Sequence, residues 1–113
     1  MEIPATIKVW AHELEVSKEE SPTWSMPGGA LQTLLGKALY DDNKIVLKDG
    51  MLPSKEVETL LHELLHFIAY YSNSFKGLDE HEERVVDQTA NGLTLLFKDN
   101  PLLLDYIKES LHD

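Results

Sequence analysis

The chain of 113 residues contains no cysteine, and this absence excludes two common designs of small protein. A disulfide-stabilised scaffold needs paired thiols, and a zinc site with thiolate ligands needs them as well. A metal ion bound by this chain must therefore be held by histidine and carboxylate side chains.

Long apolar runs are also missing from the sequence. No segment approaches the roughly 20 apolar residues that cross a bilayer, and residues 1–4 lack the basic and apolar blocks of a signal peptide. An apolar content of 42% and a charged content of 27% are ordinary for a globular protein. We therefore expect a cytoplasmic protein, folded as a single domain over 1–113.

Basic residues are scarce relative to acidic ones. The chain has 10 Lys and Arg against 20 Asp and Glu, so its formal net charge is −10. A surplus of negative charge repels the phosphates of nucleic acids and of anionic membranes. The composition therefore argues against nucleic acid or a membrane as the main partner.

The stretch Thr59–Ile68 contains the pattern H-E-x-x-H, formed by His62, Glu63 and His66. On an α-helix, residues four apart lie one above the other, so the two imidazoles can converge on one ion. Neutral imidazole is a common Zn²⁺ ligand. Glu63 lies at the edge of the same face, where its carboxylate could act as general base on a water at the metal without ligating it.

The surroundings of this motif make it more specific. The His and Glu content of the chain gives a chance match a probability of about 2%. Apart from the motif itself, no charged residue occurs between Thr59 and Tyr71. A half-buried helix with two accidentally aligned histidines is the alternative, but ionisable groups on a buried strip need partners. The pattern therefore indicates the active-site helix of a metallopeptidase.

Alternating polar and apolar residues predict strands in the first half of the chain, and longer apolar periodicities predict helices in the second. Two strands are expected at Ile7–Val9 and Leu14–Val16, joined by a turn at Ala11–Glu13 and followed by a loop at Ser21–Gly29. Two further strands are expected at Lys37–Tyr40 and Lys44–Lys48, where they form a hairpin. Helices are expected at about Lys55–Tyr71 with Ser54 as N-cap, at about Asp79–Lys98 after a break at Ser72–Gly77, and at about Leu102–Leu111. The expected fold class is α+β, with a small, mostly antiparallel sheet of three to four strands packed with three helices.

The third metal ligand must come from outside the first helix, because a catalytic zinc usually has three protein ligands. The second predicted helix carries an apolar stripe that should face the core, formed by Val86, Ala90, Leu93 and Phe97. Extending this stripe back by three residues reaches Glu83, and Asp87 lies one turn further along on its flank. We therefore predict Glu83 as the third ligand.

Asp87 is predicted to play a supporting part, accepting the N–H of the His62 ring nitrogen that does not face the metal. Three alternatives for the third ligand stay open at this point, namely Glu82, Asp87 and His81. His81 lies roughly 160 degrees from Glu83 at 100 degrees per residue, so it should face solvent.

H-E-x-x-H followed by E-x-x-x-D on a second helix resembles the gluzincin layout of zinc metallopeptidases. More closely, the run from Glu58 to Pro101 resembles small phage- and prophage-encoded proteins related to the ImmA/IrrE metallopeptidase group. The matching segments are T-L-L-H-E-L-L-H (59–66), E-E-R-V-V-D-Q-T-A-N-G-L (82–93) and K-D-N-P (98–101), with I-K-V-W (7–10) and the pattern over 39–47 upstream. One departure is that the third ligand lies closer to H-E-x-x-H than in large gluzincins.

The resemblance implies a minimal zincin fold, a Zn²⁺ cofactor and hydrolysis of a protein or peptide, with His62 and His66 as ligands and Glu63 as base. It further suggests that Lys44–Lys48, the strand before the active-site helix, offers its edge to an extended substrate peptide. Two other classes stay open. One is a catalytically silent, metal-stabilised protein-binding module of phage origin, and the other is an α+β interaction protein without a metal.

Overall fold

A computed structural model describes residues 3–25, 31–72 and 81–111 of the chain. These ranges contain six strands and three helices. The strands are β1 (Thr6–Val9), β2 (His12–Glu19), β3 (Thr23–Ser25), β4 (Leu31–Thr33), β5 (Gly36–Leu39) and β6 (Lys44–Lys48). The helices are α1 (Pro53–Ser72), α2 (Glu82–Asp99) and α3 (Pro101–Ser110). A mostly antiparallel four-stranded sheet packed with three helices confirms the predicted α+β class.

The main sheet has the strand order β1-β2-β6-β5. Its outer pairs are antiparallel, β1 with β2 and β5 with β6, whereas the central pair of β2 with β6 is parallel. The predicted hairpin of β5 and β6 is confirmed, and its turn is the 3₁₀ segment Tyr40–Asp42 followed by Asn43 at φ 49°. Asparagine tolerates this left-handed conformation better than most residues, so it suits the reversal into β6.

The first half of the chain differs from the prediction where strand pairing extends or creates strands. His12 and Glu13 pair with β1, so the turn lies at Trp10–Ala11 rather than at Ala11–Glu13. β2 continues to Glu19 because its second half pairs with β6. The predicted loop at Ser21–Gly29 contains β3, which pairs with β4 in a separate two-stranded sheet, and residues 26–29 lie outside the described part. Pairing with a partner strand therefore outweighs local turn propensity here.

β6 lies between β2 and β5, so the expectation that Lys44–Lys48 offers a free edge to a substrate is wrong. Ile45, Val46 and Leu47 are all buried, and a continuous apolar run is typical of an interior strand covered on both faces. The strand at this edge of the sheet is β5, which pairs with β6 alone among the described strands, and β1 lies at the opposite edge. Any peptide that adds to this end of the sheet must therefore pair with β5.

α1 packs on the sheet and closes the main core. Phe67 of α1 is fully buried in one cluster with Leu14 and Val16 of β2 and with Ile45 and Leu47 of β6. Full burial of a side chain of this kind contributes roughly 1.5–3 kcal/mol. The core therefore fixes α1, and with it the motif that this helix carries, against the two interior strands.

Gly36 lets the edge strand β5 pass close to α1. A Cβ at this position would lie 2.8 Å from Thr59 Cγ2 and 3.1 Å from Leu47 Cδ2. Carbon atoms attract each other best at about 3.5–4.0 Å, so a larger residue would push the strand away from the helix. The absence of a side chain thus brings the sheet edge next to Thr59, three residues before the first histidine of the motif.

The ends of the first helix differ from the prediction. α1 begins at Pro53, so Ser54 lies inside the first turn and is not the N-cap. Proline is favoured at the first helical position because its missing N–H would have had no partner there. Ser72 is still helical, and the rest of the predicted break, at residues 73–77, lies outside the described part.

The other two helices lie close to their predicted ranges. α2 begins at Glu82, whereas Asp79 and Glu80, the first residues of the predicted helix, lie outside the described part. It packs against α1 and buries a stripe that includes Thr94 in addition to the predicted Val86 and Ala90. None of the helices in the described ranges is both long and apolar enough to cross a membrane.

Candidate metal centre

α1 presents the two histidines of the motif on one face. The rings of His62 and His66 lie 4.9 Å apart between centroids, as expected for residues one turn apart. Both side chains are largely covered, with exposed fractions of 18% and 11%. Phe67 anchors the opposite side of this turn in the core, so the imidazoles are held where the helix meets α2.

α2 brings Glu83 to both histidines. Glu83 Oε1 lies 2.7 Å from His62 Nε2, and its second oxygen, Oε2, lies 2.8 Å from His66 Nε2. The carboxylate thus bridges the two ring nitrogens that point away from the backbone of α1. The predicted convergence of these three side chains is therefore present in the structure.

The other ring nitrogen of each histidine faces a different carboxylate of α2. His66 Nδ1 lies 3.0 Å from Glu82 Oε2, a hydrogen-bond distance. His62 Nδ1 lies 3.6 Å from Asp87 Oδ1, which is too long for a hydrogen bond but keeps the two groups in contact. Asp87 therefore lies beside the histidine that the sequence predicts for it, although the contact is loose.

This arrangement places a carboxylate at both nitrogens of each imidazole. A neutral imidazole donates a hydrogen bond through one nitrogen only, and its other nitrogen is an acceptor that repels a carboxylate. The Nδ1–H groups can face Glu82 and Asp87, which leaves the Nε2 lone pairs facing Glu83. A cation between Nε2 and Glu83 would satisfy all three groups, and double protonation of both rings is the alternative.

His62, His66 and Glu83 could hold a metal ion, since one ligand atom from each lies within 4.8 Å of the others. The donors are two imidazole nitrogens and a carboxylate oxygen, a set that suits Zn²⁺ but also other divalent transition metals. Two thirds of the Glu83 side chain is exposed, so a small outward rotation would admit an ion between the three groups. The residues present therefore fit a metal, and they do not fix its identity.

Glu63 is the buried acid of the site, with an exposed fraction of 5%. Burial raises the pKa of its carboxyl to about 7, while the neighbouring His62 lowers the pKa and the charge of Glu83 raises it. Burial disfavours the charged form of a carboxyl, which explains the direction of the net shift. Glu63 follows His62 directly in the chain, so α1 fixes its position relative to the metal-binding face.

A cavity of about 330 Å³ opens beside these groups. His62, Glu63 and Glu83 line one side of it, and Leu34, Leu35 and Gly36 line another. The edge strand β5 begins at Gly36, so the cavity lies between the end of the sheet and the candidate metal site. Its position allows a ligand to contact both the strand edge and the ionisable groups.

The alternatives for the third ligand are also placed by the structure. His81 is exposed and is not part of the metal-binding group found among the described residues. Glu82 contacts Nδ1 of His66, a supporting contact that the sequence analysis missed. The contact depends on the antiparallel orientation of α1 and α2, which the apolar stripe does not indicate. With Asp87 beside His62, this orientation brings residues about one turn before Asp87 to His66.

Comparison of the chain with protein-family models, with curated proteins and with solved structures gave no match in any of the three. The geometry of the site and the motifs in the sequence are therefore what a functional assignment has to rest on. Both point to a group on α1 and α2 that could hold a metal ion.

Proposed function

We propose that this protein is a zinc-dependent peptidase in which His62, His66 and Glu83 hold the ion and Glu63 is the general base. The observation that carries the proposal is the convergence of two Nε2 atoms and one carboxylate beside a buried carboxylate at a cavity. Zinc accepts imidazole and carboxylate ligands and needs no thiol, which suits a chain without cysteine. A bound Zn²⁺ would lower the pKa of a water and polarise the scissile carbonyl.

Glu63 is positioned to move the proton. Its carboxylate lines the cavity next to His62 but is absent from the three-residue group whose atoms converge, so it is available to a water there. In the proposed reaction Glu63 accepts the proton of the attacking water and passes it to the amine that leaves. The burial of Glu63 limits competition from bulk water for this carboxylate.

Glu82 and Asp87 orient the two imidazoles. By accepting Nδ1–H from His66 and His62, they hold the tautomer whose Nε2 lone pair faces the ion. Carboxylates in this role also make the ligating nitrogen more basic. The loose contact of Asp87, at 3.6 Å, would need to shorten for this role, and its exposed side chain permits the movement.

The substrate is proposed to bind as an extended peptide along β5, which replaces Lys44–Lys48 in this role. β5 has an edge that no other described strand covers, and its first residue, Gly36, lines the cavity of the metal centre. A peptide that adds to a sheet edge gains main-chain hydrogen bonds irrespective of its side chains. This placement would bring one of its peptide bonds next to Glu63.

Membership of the ImmA/IrrE-related group of phage metallopeptidases belongs to the same proposal. It is supported by the segments over 59–66, 82–93 and 98–101, which in the structure form the turns of α1 with the two histidines, the first part of α2 and the junction of α2 with α3. Two of these segments, 59–66 and 82–93, therefore contain the residues that build the candidate site.

The proposal is tested by metal content and peptide hydrolysis in one set of proteins. The wild type, Glu63→Gln and the control Glu56→Gln are purified without chelator, supplied with zinc and analysed for bound metal. Each is then assayed on a mixture of peptides by mass spectrometry. Glu56 lies on the same helix and pairs with Lys18 at 2.7 Å, so the control removes a carboxylate of α1 away from the cavity.

We expect about one zinc per chain in all three proteins and hydrolysis by the wild type and by Glu56→Gln only. The amide of Glu63→Gln fills the same space but cannot accept a proton. Loss of zinc in Glu63→Gln would show that Glu63 is a ligand. Zinc binding without any hydrolysis would support the metal-stabilised binding module, and no zinc uptake by the wild type would leave an interaction protein without a metal.

A further inference from the structure

A second cavity, of about 300 Å³, lies at the far end of the edge strand from the metal centre. Its lining combines the end of β5, the 3₁₀ turn that follows and one residue of α1, namely Ala38, Leu39, Tyr40, Asp41, Asp42 and Tyr70. The two cavities have no lining residue in common within the described ranges, but β5 runs from one to the other. A peptide paired with β5 would therefore cross both.

The distance between the second cavity and the metal centre is short. Tyr70 follows His66 by four residues, so it lies about 6 Å further along the same face of α1. At about 3.3 Å per residue, this spacing places the cavity one or two residues of an extended peptide away from the proposed site of hydrolysis.

Two stacked tyrosines form the wall of this cavity. The rings of Tyr40 and Tyr70 lie 4.6 Å apart between centroids at an angle of 12°. Tyr40 also contacts Phe67 of the core edge-on at 5.1 Å, which fixes its ring, whereas Tyr70 is 55% exposed. Aromatic faces attract cations through their negative quadrupole, and tyrosine is an effective partner.

The charge of the lining is of one sign. Asp41 and Asp42 are exposed at the rim, and none of the described residues that line the cavity is cationic. The first cavity, in contrast, contains Lys55 beside its acidic groups. An apolar ligand would gain from the rings alone, but a cation gains from the rings and from both carboxylates. The surroundings therefore favour a positively charged side chain.

We propose that this cavity selects a lysine or arginine side chain of the substrate peptide, one or two residues to the N-terminal side of the bond that is cut. The inference rests on the proposed peptidase function and adds its specificity. The direction of β5 explains why the selected side chain lies on the N-terminal side of the cut bond. β5 runs from the metal centre towards the second cavity, and an antiparallel peptide, the more stable pairing, runs the opposite way.

The test compares matched peptides that differ at one position. Each of the two positions before the cleaved bond carries Lys, Arg, Gln, norleucine or Glu in turn, and kcat/KM is measured with the zinc-loaded wild type. The same set is measured with the double variant Asp41→Asn, Asp42→Asn. The matched control is Asp99→Asn, Asp105→Asn, which changes the net charge equally at exposed positions on α2 and α3. Zinc content and circular dichroism confirm that each variant is folded.

We expect the wild type and the control to prefer Lys or Arg over norleucine by about 10-fold or more at one of the two positions. The double variant of Asp41 and Asp42 should reduce this preference to below about 3-fold, mainly by lowering kcat/KM for the Lys and Arg peptides. Cleavage without a preference for Lys or Arg, or an equal loss in the control, would overturn the inference but leave the peptidase intact. If the wild type cleaves no peptide, the proposed function fails and the inference fails with it.

Discussion

α1 and α2 contribute to the metal centre in opposite ways. The ionisable side chains that α1 brings to the candidate site are covered, since Glu63 is buried and both histidines are largely shielded. The carboxylates of α2 are more exposed, with fractions of 35% for Glu82, 67% for Glu83 and 66% for Asp87. One helix therefore supplies groups held by packing, and the other supplies groups that can adjust.

This difference is useful in a metal site. Covered ligands are already in place before the ion arrives, so little conformational entropy is lost when they bind it. Exposed carboxylates can rotate to complete the coordination and to accept the Nδ1–H groups. We therefore expect substitutions on α1 to have larger effects than substitutions on α2, and the following four predictions test this order from the largest effect to the smallest.

His62→Ala and His66→Ala should each reduce bound zinc from about one ion per chain to none detectable at micromolar zinc, and peptide hydrolysis should disappear. Each change removes a nitrogen ligand held in place by packing, and the group among the described residues contains no third histidine to replace it. Elemental analysis and isothermal titration calorimetry measure the loss, and circular dichroism checks the fold. Retention of zinc in either variant would show that the substituted histidine is not a ligand.

Glu83→Ala should weaken zinc binding by more than about 100-fold, which exceeds the usual effect of a supporting residue. The change removes the one carboxylate that faces both Nε2 atoms. Its effect should be smaller than that of the histidine substitutions, because water or the neighbouring carboxylates can fill the open position. An effect equal to that of Asp87→Asn would show that Glu83 is not a ligand.

Glu82→Gln and Asp87→Asn should each weaken zinc binding by about 10–100-fold. Both changes keep the size of the side chain but remove the charge that holds the Nδ1–H of a histidine. The effect of Glu82→Gln should be the larger, because its contact with His66 is 3.0 Å whereas that of Asp87 with His62 is 3.6 Å. Competition with a fluorescent zinc chelator measures the zinc affinity of each variant. A larger loss in Asp87→Asn than in Glu82→Gln would show that the contact of Asp87 with His62 shortens when the ion is bound.

His81→Ala should leave zinc affinity and hydrolysis unchanged. His81 is exposed at the start of α2 and is not in the metal-binding group. The variant is also the control for the loss of one histidine elsewhere in the chain. A fall in affinity comparable to that of Glu83→Ala would indicate that α2 rotates or begins earlier when zinc is bound.

The sequence predicts α1 better than the rest of the site, and the reason is physical. The motif residues and their apolar flanks belong to one helix, so the helical period alone places His62, Glu63 and His66 together. The position of Glu83 depends on how α2 packs, and the apolar stripe led to the residue that faces both histidines because Val86 and Ala90 are indeed buried. The contact of Glu82 with His66 was missed because the stripe alone does not show how α2 aligns with α1.

The sequence correctly predicted a small, mostly antiparallel sheet, but it did not predict the order of the strands. Alternation identified the hairpin of β5 and β6, whose two strands are close in the chain. It could not identify which strand lies at the edge, because that depends on the pairing of β2 with β6, which are distant in sequence. The run Ile45–Leu47 carried the relevant information, since three consecutive buried residues need cover on both faces.

The parallel pairing of β2 with β6 also has a consequence for the order in which the protein folds. Each antiparallel hairpin forms from neighbouring segments, and hairpins of this kind form within about 1–10 microseconds. The parallel pair joins Val16 to Ile45 and must close a much longer loop before it gains any contact. We therefore expect mutations at this pair to slow folding, because its contacts must form in the slow step. The two strands that carry the core under α1 would thus set the rate at which the sheet assembles.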